Sequence, residues 1–114
     1  MVAVKVRAKV WLEVGAGVPL CHGKADLLEA IQERGSISRG AAQVGMSYRR
    51  AWEYIRALEG GTGVKVLKTS IGGAGGGGSK LTQEGRGLLR EYRLAQDAIS
   101  SLLDKRIEGF AGSA

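Results

Sequence analysis

Four arginines, Arg39, Arg49, Arg50 and Arg56, fall between residues 36 and 60, opposed there only by Glu53 and Glu59. A guanidinium is a planar fork of donors that can grip the major-groove edge of guanine or clamp a phosphate. Tyr48 adds a phenol that can donate to a phosphate or pack against a sugar. The competing use of the same charges is a solvated helix face, because Arg49 and Glu53 are four apart and Glu53 and Arg56 are three apart. Other chemistry is sparse. Cys21 and His22 are adjacent, and no other cysteine or histidine exists to complete a metal site or a disulfide. Cys21 therefore reads as a small buried hydrophobe and His22 as a satisfied structural histidine. With no Ser–His or Cys–His pairing, the expectation is a protein that is not an enzyme and that takes no metal and no cofactor.

A second unusual feature is the run IGGAGGGGS, residues 71 to 79. Gly72, Gly73, Gly75, Gly76, Gly77 and Gly78 would expose backbone N–H groups to phosphate oxygens without steric cost. Lys68 and Lys80 stand at its shoulders. A phosphate-binding P-loop is a poor match, since Ser79 separates Gly78 from Lys80 and the helix cap comes later, at Thr82. A plain spacer would not need the apolar strands that flank the run. The run reads as the tip of a hairpin.

These groups must be positioned by elements. Val2, Val4, Val6, Ala8, Val10, Leu12 and Val14 alternate with Lys5, Arg7, Lys9, Trp11 and Glu13, the period of a strand buried on one side. Gly15 to Gly17 offers a turn into a short second strand, Val18 to Cys21. Lys24 to Arg34 reads as a first helix with Leu27, Leu28 and Ile31 inward, stopped by Gly35. Ser36 or Ser38 caps a second helix reaching about Val44. Gly45 turns the chain and Ser47 caps a third helix, with Ala51, Ile55 and Leu58 inward and Gly60 and Gly61 ending it. Trp52 is expected in the core, as large aromatics usually anchor packing. Val64 to Thr69 is a strand candidate. Thr82 caps a long final helix in which Leu88, Tyr92, Ala95, Ile99 and Leu102 form a heptad-like seam, while Gly85 and Gly87 weaken its first turns, and Phe110 and the tail GSA are expected to fray.

The expected fold is mainly α with a small β component: a winged helix-turn-helix with an N-terminal strand or hairpin and a long C-terminal dimerisation helix. One domain covers 1–114, divided into N-terminal strands (1–22), three helices (24–58), a glycine-rich wing (64–81) and a dimerisation helix (82–108). The candidate contacts to DNA are Ser36, Ser38, Arg39, Ser47, Tyr48, Arg49, Arg50, Glu53, Arg56, Lys68, Gly75, Gly76, Gly77 and Lys80. Residues Arg86 to Ile107 would span about 33 Å as a helix, too long to cap a core this small. A second copy is the expected partner for their apolar seam.

Composition agrees. The 114 residues are 44% apolar and 25% charged, enough to fold, and the net charge of +6 favours a polyanion. No run approaches the roughly 20 apolar residues of a membrane span, and the alternating N-terminus lacks the continuous apolar stretch of a signal peptide. A cytoplasmic protein with no membrane partner is expected.

The segments GSISRGAAQVGMSYRRAWEYI (35–55) and GGAGGGGSKLTQEG (72–85), with KVWLE (9–13) and LLEAI (27–31), resemble the DNA-binding domain of the molybdenum-dependent transcriptional regulators, the ModE family, themselves akin to LysR-type winged helices. The resemblance implies a homodimer on operator DNA, with Ser47, Tyr48, Arg49, Arg50 and Trp52 in recognition-helix positions. Lys80 and Thr82 follow the wing tip, where Ala74 stands in place of a lysine of the family pattern. Full-length members carry C-terminal molybdate-binding domains, for which this chain has no room. It is therefore expected to be a stand-alone module, with a separate molybdate- or tungstate-binding protein as the partner left open. A winged helix used only for protein contacts is the alternative, and it would present an apolar or acidic face where Arg49, Arg50 and Arg56 stand.

Overall fold

The computed structural model describes residues 2–70 and 78–112, with side chains as far as residue 109. Its elements run β1 (Leu12–Val14), β2 (Val18–Leu20), α1 (His22–Arg34), α2 (Ile37–Gln43), α3 (Tyr48–Thr62), β3 (Leu67–Ser70), β4 (Gly78–Leu81) and α4 (Gln83–Gly112). Two antiparallel hairpins, β1–β2 and β3–β4, flank three short helices, and α4 follows. This is a winged helix-turn-helix. The wing tip, with Gly75, Gly76 and Gly77, lies outside the described residues.

The core forms where the short helices meet the hairpins. Leu27, Leu28 and Ile31 of α1 are fully buried, and Ala51, Ile55 and Leu58 of α3 close on them. Ala41 brings α2 against both, and Val66 and Leu81 seal the base of the wing. The stripes at spacings of three and four thus face inward as their periodicity requires.

The N-terminal strand is much shorter than the alternation of residues 2 to 14 predicts. Only Leu12 to Val14 pair, and Val2, Val4 and Val6 are exposed. The limit is the partner. β2 has three residues, and Leu12 already meets Leu20 at its end, just before α1 begins at His22. Further out the chain lies along α4, where the Tyr92 hydroxyl donates to the Val10 carbonyl at 2.9 Å.

α1 starts two residues earlier than expected, with Cys21 as its half-buried N-cap and the exposed His22 paired to Asp26 at 3.0 Å. α3 runs through Gly60 and Gly61 to end at Gly63, which adopts the left-handed conformation. Packing overrides propensity there. A Cβ on Gly61 would lie 1.8 Å from Val18 Cγ2, and the Gly61 carbonyl accepts the Ala16 N–H at 3.0 Å. Glycine at 61 is what lets the first hairpin sit on the helix. The first wing strand begins at Leu67 rather than Val64, because Glu59 Oε2 takes the N–H groups of Val66 and Leu67 at 2.9 and 3.4 Å.

α4 is capped by Thr82, whose hydroxyl accepts the Gly85 N–H at 3.0 Å, and it continues to Gly112, beyond the expected end at 108. Its 30 residues would span about 45 Å, against a longest dimension of 63 Å for the chain. Arg93 ties it to α1 through Asp26 at 2.8 Å and Glu29 at 3.3 Å. The hydrogen bond to Asp26 is the main cause holding the Arg93 guanidinium pKa above its usual range.

Candidate nucleic-acid interface

Two serines start the two helices of the turn. Ser36 Oγ accepts the Arg39 N–H at 3.1 Å, and Ser47 Oγ accepts the Arg50 N–H at 3.1 Å. Each satisfies a donor that the first helical turn otherwise leaves open. Ser36 rather than Ser38 is the cap of α2, and Ser38 is exposed beside it. Between the helices Gly45 takes φ +71°, and the Met46 N–H returns to the Ala41 carbonyl at 2.9 Å. A left-handed residue at 45 closes the angle at no side-chain cost.

With Ala51, Ile55 and Leu58 fixed inward, the opposite face of α3 is set. Arg49, Glu53 and Arg56 lie on it, Trp52 stands at its edge and Tyr48 opens the first turn beside Trp52, and all five are exposed. Trp52 is thus not a core residue. Successive helix residues turn by about 100°, so Trp52 stands about a right angle from the core stripe, at the edge of the outer face, one turn from Tyr48 and from Arg56. Trp52 keeps 43% of its surface exposed, with the Arg56 guanidinium 4.9 Å above its ring. Arg49 pairs with Glu53 at 3.3 Å. Arg50 turns toward the side of the helix, where its Nε donates to the Tyr54 hydroxyl at 3.0 Å. Tyr54 is held from its other neighbour too: Lys24 lies 5.2 Å from its ring centroid while donating to the Pro19 carbonyl at 2.8 Å. The two basic residues of the first turn therefore differ in support, one ion-paired and one stacked on an aromatic.

The wing is hung from α1. The Gln32 side chain accepts the Leu81 N–H at 2.8 Å, and the Gly35 carbonyl accepts the Ser79 N–H at 2.7 Å. Glu59 links the end of α3 to the start of β3. Lys68 and Lys80 are exposed on the wing strands and flank a cleft of about 330 Å³ with Gly35, Thr69 and Ser79. Gln32, Glu59, Lys24 and Tyr54 were not legible as positioning residues, since each acts through a partner distant in sequence or through a backbone atom.

The seam of α4 divides in two. Tyr92 is only 1% exposed and belongs to the core of its own chain, and Leu88 packs against the same core. Tyr92 is therefore not free to meet a partner, because its ring fills the space between α4 and the core and its hydroxyl holds Val10. Ala95 is half-buried, and Ile99 and Leu102 are 37% and 64% exposed, with Leu94 exposed beside them. Among the described residues, no group of three His, Cys, Asp or Glu could hold a metal ion, and no helix is long and apolar enough to cross a membrane.

A capped helix-turn-helix with an outward basic face, followed by a two-stranded wing, defines a DNA-binding module of the kind bacterial regulators use. The family model for bacterial regulatory helix-turn-helix proteins of the lysR family matches residues 23–86, and the chain belongs to that family. It is 34% identical over 108 residues to the molybdenum transport protein ModE of Azotobacter vinelandii, covering 95% of this chain and 40% of that protein. It is 38% identical over 77 residues to the molybdenum-pterin-binding protein MopB of Rhodobacter capsulatus, covering 68% and 28%. It is 38% identical over 71 residues to the DNA-binding transcriptional dual regulator ModE of Escherichia coli (strain K12), covering 62% and 27%. The chain thus spans 27% to 40% of the length of these three relatives. The fold is also that of a solved structure described as the CbnR_DBD-DNA complex, with a TM-score of 0.59 and 22% identity over 75% of this chain and 93% of the other.

Proposed function

We propose that the chain is the sequence-specific DNA-binding module of a ModE-like transcriptional regulator and engages a twofold operator as a homodimer. The observation that carries this reading is the outer face of α3. Its basic and aromatic side chains point away from a core that fixes the helix by Ala51, Ile55 and Leu58. A helix presented in this way enters the major groove by its N-terminal turns. Lys68 and Lys80 on the wing supply phosphate contacts, which fix register without reading sequence. One domain over 1–114 performs both tasks. The exposed part of the α4 seam, Ile99 and Leu102, supports pairing with a second copy, which would set two recognition helices one turn of DNA apart, about 34 Å, or a multiple of that. Two of the three relatives carry molybdenum in their names, and a molybdate- or tungstate-binding protein is the signalling partner this reading gives the module.

Selection from a random duplex pool, followed by direct titration, tests the proposal. The chain is expected to retrieve a sequence of two symmetric half-sites and to prefer it over random duplex. Arg49→Ala or Arg50→Ala should then cost about 1–3 kcal/mol and blur one position in each half-site. Equal binding of selected and random duplex would contradict sequence-specific binding.

A further inference from the structure

The arginine-bearing face of α3 also carries two large aromatic side chains that the fold does not use. Tyr48 is 55% exposed, and Trp52 stands one turn further on the same face. Both sit on a helix whose other exposed side chains, Ala57 apart, are charged. The Arg56 guanidinium stacks over the Trp52 ring, and Arg49 beside Tyr48 is held back by Glu53. The result is an exposed aromatic strip flanked by cations, with its indole stacked on Arg56.

We infer that Tyr48 and Trp52 form an apolar reader that selects thymine by its 5-methyl group. The inference rests on the reading of α3 as the recognition helix. In the major groove thymine presents a methyl group, whereas cytosine offers an N4 amino donor. An aromatic ring can enclose the methyl. Set against the amino group of cytosine, the same ring leaves a donor without a partner, which is the more costly mismatch. The stack with Arg56 favours one orientation of the indole before binding and places a cation beside it for the neighbouring phosphate. Residues four apart on a helix are about 6 Å from each other, close to two base steps at about 3.4 Å each. The strip therefore addresses thymines about two steps apart in each half-site. A protein surface with an apolar knob could use the same strip, and the test separates the two.

The probe is the duplex that the full chain selects from a random pool, with each thymine replaced in turn by deoxyuridine. This deletes the methyl group and leaves base pairing intact. At one or two positions in each half-site, uracil should weaken binding about fourfold, the effect of losing one buried CH₂-sized group. Trp52→Ala should abolish the response at its position, while Trp52→Phe, which keeps a ring, should retain it. Tyr48→Ala should abolish the response at the second position. Tight binding that no uracil substitution changes would overturn the methyl reader and leave the recognition helix standing. A Trp52→Ala variant that keeps the full uracil response would do the same. A pool from which no duplex is enriched would overturn the recognition-helix reading itself, and would leave the strip to a protein partner.

Discussion

Lys68 and Lys80 stand directly opposite each other in the β3–β4 ladder. Both are exposed, and like charges facing each other across an antiparallel pair are destabilising. The phosphate contacts proposed for the wing give this unfavourable pairing a use outside the fold. Lys68→Gln should leave the unfolding free energy unchanged or raise it, by roughly 0.2–1 kcal/mol. The same change should weaken DNA binding across all sequences and reduce the salt slope by about one. Chemical denaturation and fluorescence anisotropy check the two halves. A variant that loses stability and binds DNA as before would show that the lysines belong to the fold.

Tyr92 joins α4, the core and the N-terminal segment in one side chain. Burial pushes its phenol pKa above the usual value of 10.0, against a smaller downward pull from Arg93, with Cys21 and Asp26 adding to the rise. The folded state therefore keeps this proton at a pH where the unfolded chain has begun to lose it. The stability from this difference is whole below the ordinary tyrosine value and is lost as pH rises through the higher folded one. Tyr92→Phe removes the hydrogen bond to Val10 and should cost about 0.5–1.5 kcal/mol at neutral pH. It should also flatten the alkaline fall in stability, measured by urea denaturation between pH 8 and roughly 11. A variant with the same alkaline slope as the parent would exclude Tyr92 as its source.

Much of this architecture is legible in the sequence. Ser47 before a three-four stripe marks α3, and Gly45 marks the turn, because caps and left-handed glycines act locally. The failures share a cause, which is that the deciding partner lies far away in sequence. Alternation from Val2 to Val14 shows that the segment is able to pair, but not that β2 ends after three residues. Gly60 and Gly61 weaken a helix by propensity, yet Gly61 is required where Val18 and Ala16 press on α3. The heptad pattern of α4 groups Tyr92 with Ile99 and Leu102, although one faces its own core and the others face solvent. Residue type alone puts Trp52 in the core, while the stripe at 51, 55 and 58 leaves it on the flank of α3, where it is exposed. The glycines of the wing tip fall outside the described residues.

Ile99 and Leu102 lie beyond Tyr92, the last fully buried residue of α4 among the described side chains. An apolar stripe in that position is covered by a second copy in the proposed dimer. Sedimentation at micromolar concentration should give a dimer mass for the parent, and a monomer mass for the doubly substituted Ile99→Glu, Leu102→Glu chain. Since both side chains are exposed, the substituted chain should keep its helical circular dichroism. A monomeric parent would remove the dimer and the twofold operator together.

In the proposed function α3 and the wing meet a polyanionic duplex, and the salt dependence of duplex binding measures that meeting most directly. Each phosphate neutralised by a lysine or arginine releases counterions, so the logarithm of the binding constant falls with the logarithm of salt by about 0.9 per contact. Dissociation constants for the selected duplex, taken across a series of salt concentrations, should give a steep line for the parent chain. Arg49→Ala, Arg50→Ala and Lys68→Gln should each change affinity, and loss of a phosphate contact should make the line shallower by about one. A flat line for the parent chain, or one unaltered by all three substitutions, would contradict the account.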